Sequence, residues 1–177
     1  PVPLLRDIPP LATVTPPLRN KWSNEKLWEG VRQGIIDTIG SDHSANTLAE
    51  KGQDIWKAPM GLGNLSGMIL PVMLSEGVNK GRVSLQDVVR VCCANPAKAL
   101  GLHPKKGAIS IGADGDLVIV DLDREVEVTH KNLHSRCDWN IWEGWKFRGW
   151  PTHTILRGEL VYQEGRFLAE PGVGKFI

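Results

Sequence analysis

The stretch Ile35–Asn46, IIDTIGSDHSAN, decides the fold, because it passes from apolar to polar within a few positions. Ile35, Ile36, Thr38 and Ile39 favour a strand over 35–39, since β-branched side chains pack well on a pleated surface. Gly40 lets the chain turn, and Ser41, Asp42 and His43 then arrive together where that strand would end. A carboxylate beside an imidazole at a strand tip has two readings. One is a polar strand end that caps a turn. The other is a reaction centre, because chemistry collects at the carboxyl ends of strands in barrels and open α/β sheets.

Working outward, LATV (11–14) is a short apolar run stopped by Thr15-Pro16-Pro17, and proline cannot continue a central ladder. Ser23 or Asn24 can cap a helix over 25–33 that places Leu27, Trp28 and Val31 on one face, with Gly34 ending it. Strand–helix–strand is the unit of parallel α/β sheets. Residues 44–65 form a long loop of charged residues, glycines and a proline, and such loops are commonly binding loops or lids. Helices are expected over 66–76 and 84–94, the second opened by Ser84 with Asp87 in its first turn. Helix restarts at Asn95 with Pro96 in its first turn, where a missing N–H costs nothing.

At Gly107 the periodicity changes. GAISIGADGDLVIVDLD (107–123) reads as two short strands around a Gly/Asp turn, the second (117–121) buried on both faces. Residues 124–128 alternate, and 153–163 reads as a hairpin bending near Gly158. The expected division is therefore α/β over 1–106 and a β-rich module over 107–177.

With 21 basic and 20 acidic residues among 177, the formal charge is +1, which gives no electrostatic case for nucleic acid or an anionic membrane. No apolar run approaches the roughly 20 residues that span a bilayer. Three cysteines, two of them the neighbours Cys92 and Cys93, fit reduced thiols in the cytoplasm better than a disulfide framework. The chain opens at Pro1 in a proline-rich loop without an initiator methionine, and is expected to be a segment of a longer polypeptide.

Other candidates weigh less. GLGNLSG (61–67) lacks the third glycine of a dinucleotide fingerprint and follows a loop, so it reads as a turn whose backbone approaches a small ligand closely. His130, His134 and Cys137 lack a paired-cysteine motif, which argues against zinc between them. His103, after a helix end and before a proline, reads as a cap or a solvent-facing residue. Trp139, Trp142, Trp145 and Trp150 are expected to pack against another domain or subunit rather than stack bases.

Four segments in order carry a resemblance: TVTPPLR with LWEGV and IDTIGSDHS (13–44), WKAPMGLGNLSGMILPVML (56–74), NPAKALGLHPKKGAISIGADGDLVIVD (95–121) and WEGWKFRGWPTHTILRGELVY (142–162). Together, from about Ala12 onward, they resemble the C-terminal part of cyclic amidohydrolases. The group is that of dihydropyrimidinase and hydantoinase, with allantoinase and dihydroorotase as cousins. The resemblance implies an α/β fold: the end of a (β/α)8 TIM-like barrel followed by the C-terminal part of a small β-sandwich. The segments 11–14 and 35–39 would be its last two barrel strands, parallel neighbours with Asp42 at their shared edge. It further implies a binuclear divalent metal centre, commonly zinc, with an H-x-H pair, a carbamylated lysine, two further histidines and one aspartate as ligands.

Only the aspartate maps here, as Asp42, a metal ligand and catalytic proton shuttle. The other ligands would come from the upstream part of the same polypeptide. By the same similarity, the backbones of Thr15 and of Gly63 or Asn64 would hydrogen-bond a small cyclic amide substrate, and the enzyme would be a homo-oligomer. SDHSAN in place of the Asp-His-Ala-Pro of some cousins argues against dihydroorotase, and WEGW…GWP leans toward the hydantoinases. Without the upstream strands the segment alone is expected to be inactive. The rival reading is a non-catalytic dihydropyrimidinase-like scaffold whose metal ligands are lost.

Overall fold

The computed structural model describes residues 9–177; the proline-rich opening, residues 1–8, lies outside the described residues. Helix α1, Lys21–Arg32, starts earlier than its apolar face suggests, because Asn20 is the cap and its side chain accepts from Ser23 N at 3.0 Å. A four-residue helix, α2 (Leu48–Lys51), interrupts the expected loop. Its capping box pairs the Thr47 hydroxyl with Glu50 N and the Glu50 carboxylate with Thr47 N.

The next helical run begins with a tight turn at Ser66–Met68, continues as α3 (Ile69–Val72) and widens to a π-helical turn over Met73–Val78. The Ser84–Asp87 capping box opens α4 (Leu85–Val89), as the sequence leads one to expect. A second π-helical turn, Arg90–Ala94, leads without a break into α5 (Asn95–Ala99). No helix among the described residues is long and apolar enough to cross a membrane.

Neither 11–14 nor 35–39 is a strand, and the two do not pair. Pro9–Ala12 forms a 3-10 turn. The donors a ladder would use are spent on helices: Ile35 N and Ile36 N bond to Gly30 O at the end of α1, and Ile39 N bonds to Val91 O. A strand needs a neighbour that offers alternating acceptors, and among the described residues none lies alongside.

The sheet is antiparallel, in the order β1 (Leu117–Glu127), β2 (Lys146–Leu156), β3 (Glu159–Gln163), β4 (Arg166–Phe167). The two short runs read at 117–121 and 124–128 are one strand with an irregularity. Asp121 folds its carboxylate onto the N–H groups of Asp123 and Arg124 there, which breaks the register between Asp121 and Glu125. The β2–β3 hairpin bends at Arg157–Gly158, both at positive φ, as two-residue hairpin turns require.

Two expectations fail in this module. Residues 107–112 are turns rather than a strand. Lys106 draws Asp114 and Asp116 onto itself there, and an added Cβ at Gly107 would sit 2.6 Å from Cys93 O. Leu117, Val118 and Ile119 are not buried on both faces but 38–49% exposed. The helical layer crosses the sheet at β2 and leaves that end of β1 uncovered among the described residues.

Three apolar clusters hold the molecule. Val31, Met73, Val83, Val88 and Val91 join α1 to the helical run of α3 and α4. Met68, Val128, Phe147 and Trp150 join that run to the sheet, and the crossing is close enough that a Cβ at Gly149 (φ 94°) would lie 2.9 Å from Leu74 Cβ. Leu11, Leu62, Cys137, Trp139 and Ile141 form the third cluster, beneath residues 59–65. Trp139 and Trp150 are therefore core residues, with Trp142 half-buried beside both lower clusters. The expectation that the tryptophans serve another domain or subunit is corrected for these three, since a large aromatic surface is most stabilising where it is fully covered.

Candidate functional site

The four predicted site residues converge on the turn 59–65, although no strand carries them there. His43 forms an isolated parallel bridge with Leu62, and Ser44 N donates to Leu62 O at 3.1 Å. That seats Asp42 alongside the Gly61–Leu62 stretch, just ahead of Gly63 and Asn64 in the turn. From the other side, Gly61 N donates to Thr13 O at 2.9 Å, and the Thr15 hydroxyl points at Met60 Sδ at 3.8 Å. Gly61 is needed for this approach. It has φ 111°, and a Cβ there would lie 2.4 Å from Ser44 Cβ.

Asp42 is exposed and sits at φ 46°, in the left-handed region that few non-glycine residues adopt. The bridge at His43 and the Ser41 hydroxyl, which accepts from His43 N at 3.3 Å, hold it there. Strained backbone held by its surroundings is concentrated at functional sites. Its carboxylate enters none of the ion pairs among the described residues. No group of three or more potential metal ligands occurs among the described residues.

His43 has a different part. Its Nδ1 faces Leu65 N and its Nε2 faces Ser135 Oγ, each at 3.4 Å. An Nδ1 that accepts leaves the proton on Nε2, to be donated to Ser135. The imidazole therefore braces the turn against the segment 135–139 and does not face Asp42's open side.

Gly63 is glycine for a packing reason. An added Cβ would meet Cys137 Sγ at 2.9 Å and Trp139 Cε2 at 3.1 Å. Asn64, 1% exposed and at φ 57°, donates its side-chain amide to Trp139 O at 2.7 Å and to Cys137 O at 3.2 Å. Its Oδ1 has no partner among the described residues. The main-chain N–H groups of Gly63 and Asn64 likewise meet no backbone acceptor among them. The turn is thus fixed from behind by side chains of the 137–139 segment.

Sequence reasoning missed the supports. Segment 135–139 holds the site through Ser135, Cys137 and Trp139, whose indole N–H donates to Asn46 O at 2.8 Å. Arg136 grips Glu50 with both guanidinium nitrogens, at 3.0 and 2.5 Å, and Asp138 accepts from Leu48 N. Arg136, followed by the Thr47 amide, holds the Glu50 carboxyl down at about 2. Thr47-x-x-Glu50 is a legible capping-box signature; contacts with residues some ninety positions away leave no such trace. His130 pairs with Glu143, while His134 lies against the rings of Tyr162 and Phe167, so these two serve separate places.

Comparison with known proteins gives the family. Residues 23–161 match the amidohydrolase family, and the chain belongs to it. It is 40% identical over 173 residues to the L-hydantoinase of Paenarthrobacter aurescens, covering 96% of this chain and 38% of that protein. It is 36% identical over 168 residues to an Escherichia coli D-phenylhydantoinase, covering 93% of this chain and 36% of that protein. Among solved structures, the L-hydantoinase (dihydropyrimidinase) from Arthrobacter aurescens superposes with a TM-score of 0.90 at 39% identity, over 97% of this chain and 39% of its own. A dihydropyrimidinase from Brevibacillus agri gives 0.89 at 30% identity, over 95% and 37%. The mixed helix-and-sheet architecture therefore matches part of the hydantoinase fold, and the chain spans less than two-fifths of the length of these relatives.

Proposed function

We propose that the full polypeptide hydrolyses the C–N bond of a cyclic amide, a dihydropyrimidine, hydantoin or allantoin-like ring, with residues 1–106 completing a barrel and 107–177 a β-sandwich. The observation that carries this reading is the convergence of Thr15, Asp42, Gly63 and Asn64 on one turn in a chain of this family. A binuclear divalent centre, zinc by resemblance, when bound would supply a water activated at neutral pH and polarise the ring carbonyl. Asp42 would be the one ligand from this chain. The remaining ligands, a carbamylated lysine among them, would come from upstream.

Asp42 takes the proton of the attacking water as oxygen adds to the carbonyl carbon. It returns that proton to the ring nitrogen as the C–N bond breaks, so the leaving group departs neutral. The N–H groups of Gly63 and Asn64 and the carbonyl of Thr15 match the alternating acceptors and donors of a cyclic imide edge, and they orient the ring. The free thiols of Cys92, Cys93 and Cys137 fit a cytoplasmic location. Burial, with the neighbouring Cys93 adding to it, pushes the Cys92 thiol up to about 11.

The test is metal analysis of the purified full-length protein together with a ring-opening assay on hydantoin and dihydrouracil. About two metal ions per chain and metal-dependent ring opening are expected. A protein that purifies without stoichiometric metal and opens neither ring is the non-catalytic scaffold instead.

A further inference from the structure

Lys51 is the one charged side chain in the buried set of the described residues, 1% exposed at the end of a four-residue helix. It has no carboxylate partner among the described residues. Its Nζ donates to Pro59 O at 2.7 Å, Thr13 Oγ1 at 2.9 Å and Thr13 O at 3.4 Å, and it stands 6.0 Å above the Trp139 ring. An ammonium has three protons to give, and three oxygens receive them. The Thr13 hydroxyl passes its own proton on to Pro10 O at 2.7 Å.

These acceptors are not arbitrary. Thr13 leads into Thr15, and Pro59 leads into the turn that carries Gly63 and Asn64. The same two segments share only one backbone hydrogen bond, Gly61 N to Thr13 O. We propose that Lys51 is a positioning residue: its ammonium ties the Thr13–Thr15 segment to the Pro59–Asn64 turn and sets the spacing of the two main-chain walls that grip the substrate ring. The inference rests on the functional reading above, since only a ring between those walls makes their spacing matter for catalysis.

A buried charge without a counter-ion is costly and is kept where hydrogen bonds to it do something else. Burial also pulls the Lys51 ammonium below the ordinary lysine range. A solvent-facing lysine would grip neither segment, and a leucine would fill the volume without joining them.

The experiment uses the full-length, metal-loaded protein and two variants, Lys51→Met and the milder Thr13→Val, which keeps the ammonium and removes one of its acceptors together with that hydroxyl's own 3.3 Å contact to Pro59 O. Amide hydrogen exchange reads the clamp directly, and steady-state kinetics on hydantoin read its consequence. In Lys51→Met, faster exchange confined to 13–15 and 59–65 is expected, with KM raised about tenfold or more and kcat within about threefold, as for loss of a charge-assisted hydrogen bond that orients substrate. Thr13→Val should move both readouts in the same direction and by less. Unchanged exchange in those segments, or unchanged KM in a wild type that opens the ring, overturns the inference and leaves the functional reading intact. A wild type that opens no ring overturns both.

Discussion

Single atoms decide most at the turn 59–65. The two glycines there do different things: Gly61 lets Ser44 come close, while Gly63 leaves room for Cys137 and Trp139. Gly63→Ala must push a core sulfur and an indole aside. Overpacking of a filled core costs about 1–3 kcal/mol, so a lowered melting temperature is expected, read by calorimetry on the full-length protein. A Gly63→Ala protein as stable as wild type would contradict the packing. His43→Gln is expected to cost catalysis less than any change at Asp42, because the imidazole faces Leu65 N and Ser135 rather than the open side of the site. A larger loss of kcat in His43→Gln than in Asp42→Asn would show that the imidazole touches the reacting atoms. The polar cluster Ser41-Asp42-His43 was legible in the sequence as a candidate site. The division of labour inside it was not, because it depends on a hydroxyl at 135 and a bridge at Leu62.

At the scale of elements, what could be read was local and what failed was long-range. The Ser84–Asp87 cap and the hairpin bend at Gly158 depend on residues within four positions, and both are present. The strands at 11–14 and 35–39 depend on partners elsewhere in a sheet; instead Thr13 N bonds to Pro10 O within its own turn, and the donors of Ile35, Ile36 and Ile39 went to α1 and to Val91. Helix α2 shows how a short element is held from outside. Glu50 both caps it and pairs with Arg136, with its carboxyl lowered from 4.5 to about 2. A carboxylate with a depressed pKa stabilises the folded state above its unfolded value, and that contribution is lost as pH falls through the folded one. The α2 brace should therefore hold at neutral pH and loosen between about pH 4.5 and about 2. Trp139, which shares that brace through Asn46, would report it by fluorescence, and Glu50→Gln should remove the transition from that window. Gly149→Ala is expected to separate β2 from the helical layer, because it meets Leu74 at positive φ. Strain of about 1–2 kcal/mol from the backbone adds there to the crowding, and denaturant unfolding measures the sum.

At the scale of the whole molecule, the described residues carry apolar surface that they leave open among themselves. Trp22 is 68%, Leu27 59% and Ile35 71% exposed, and a groove of about 390 Å³ runs between Trp28, Ile36, Ile39 and Met73. Contiguous apolar surface of this kind favours association. These 177 residues in isolation are expected to self-associate, and the full polypeptide to form a defined oligomer, both read by sedimentation velocity. A monodisperse monomer of the isolated chain would argue that the face needs no cover. The family could be read from four ordered segments because they spread over most of the chain; the supports behind the site could not, since the 135–141 segment reaches it only through the fold. Asp42 is where residue, frame and family meet, and the decisive measurement is kcat for hydantoin ring opening by the metal-loaded full-length protein and its Asp42→Asn variant. Removing a general acid–base typically costs about 10²–10⁴-fold, so we expect at least a hundredfold loss in kcat with KM little changed. An Asp42→Asn enzyme within about threefold of wild type would contradict the account by taking Asp42 out of the chemistry.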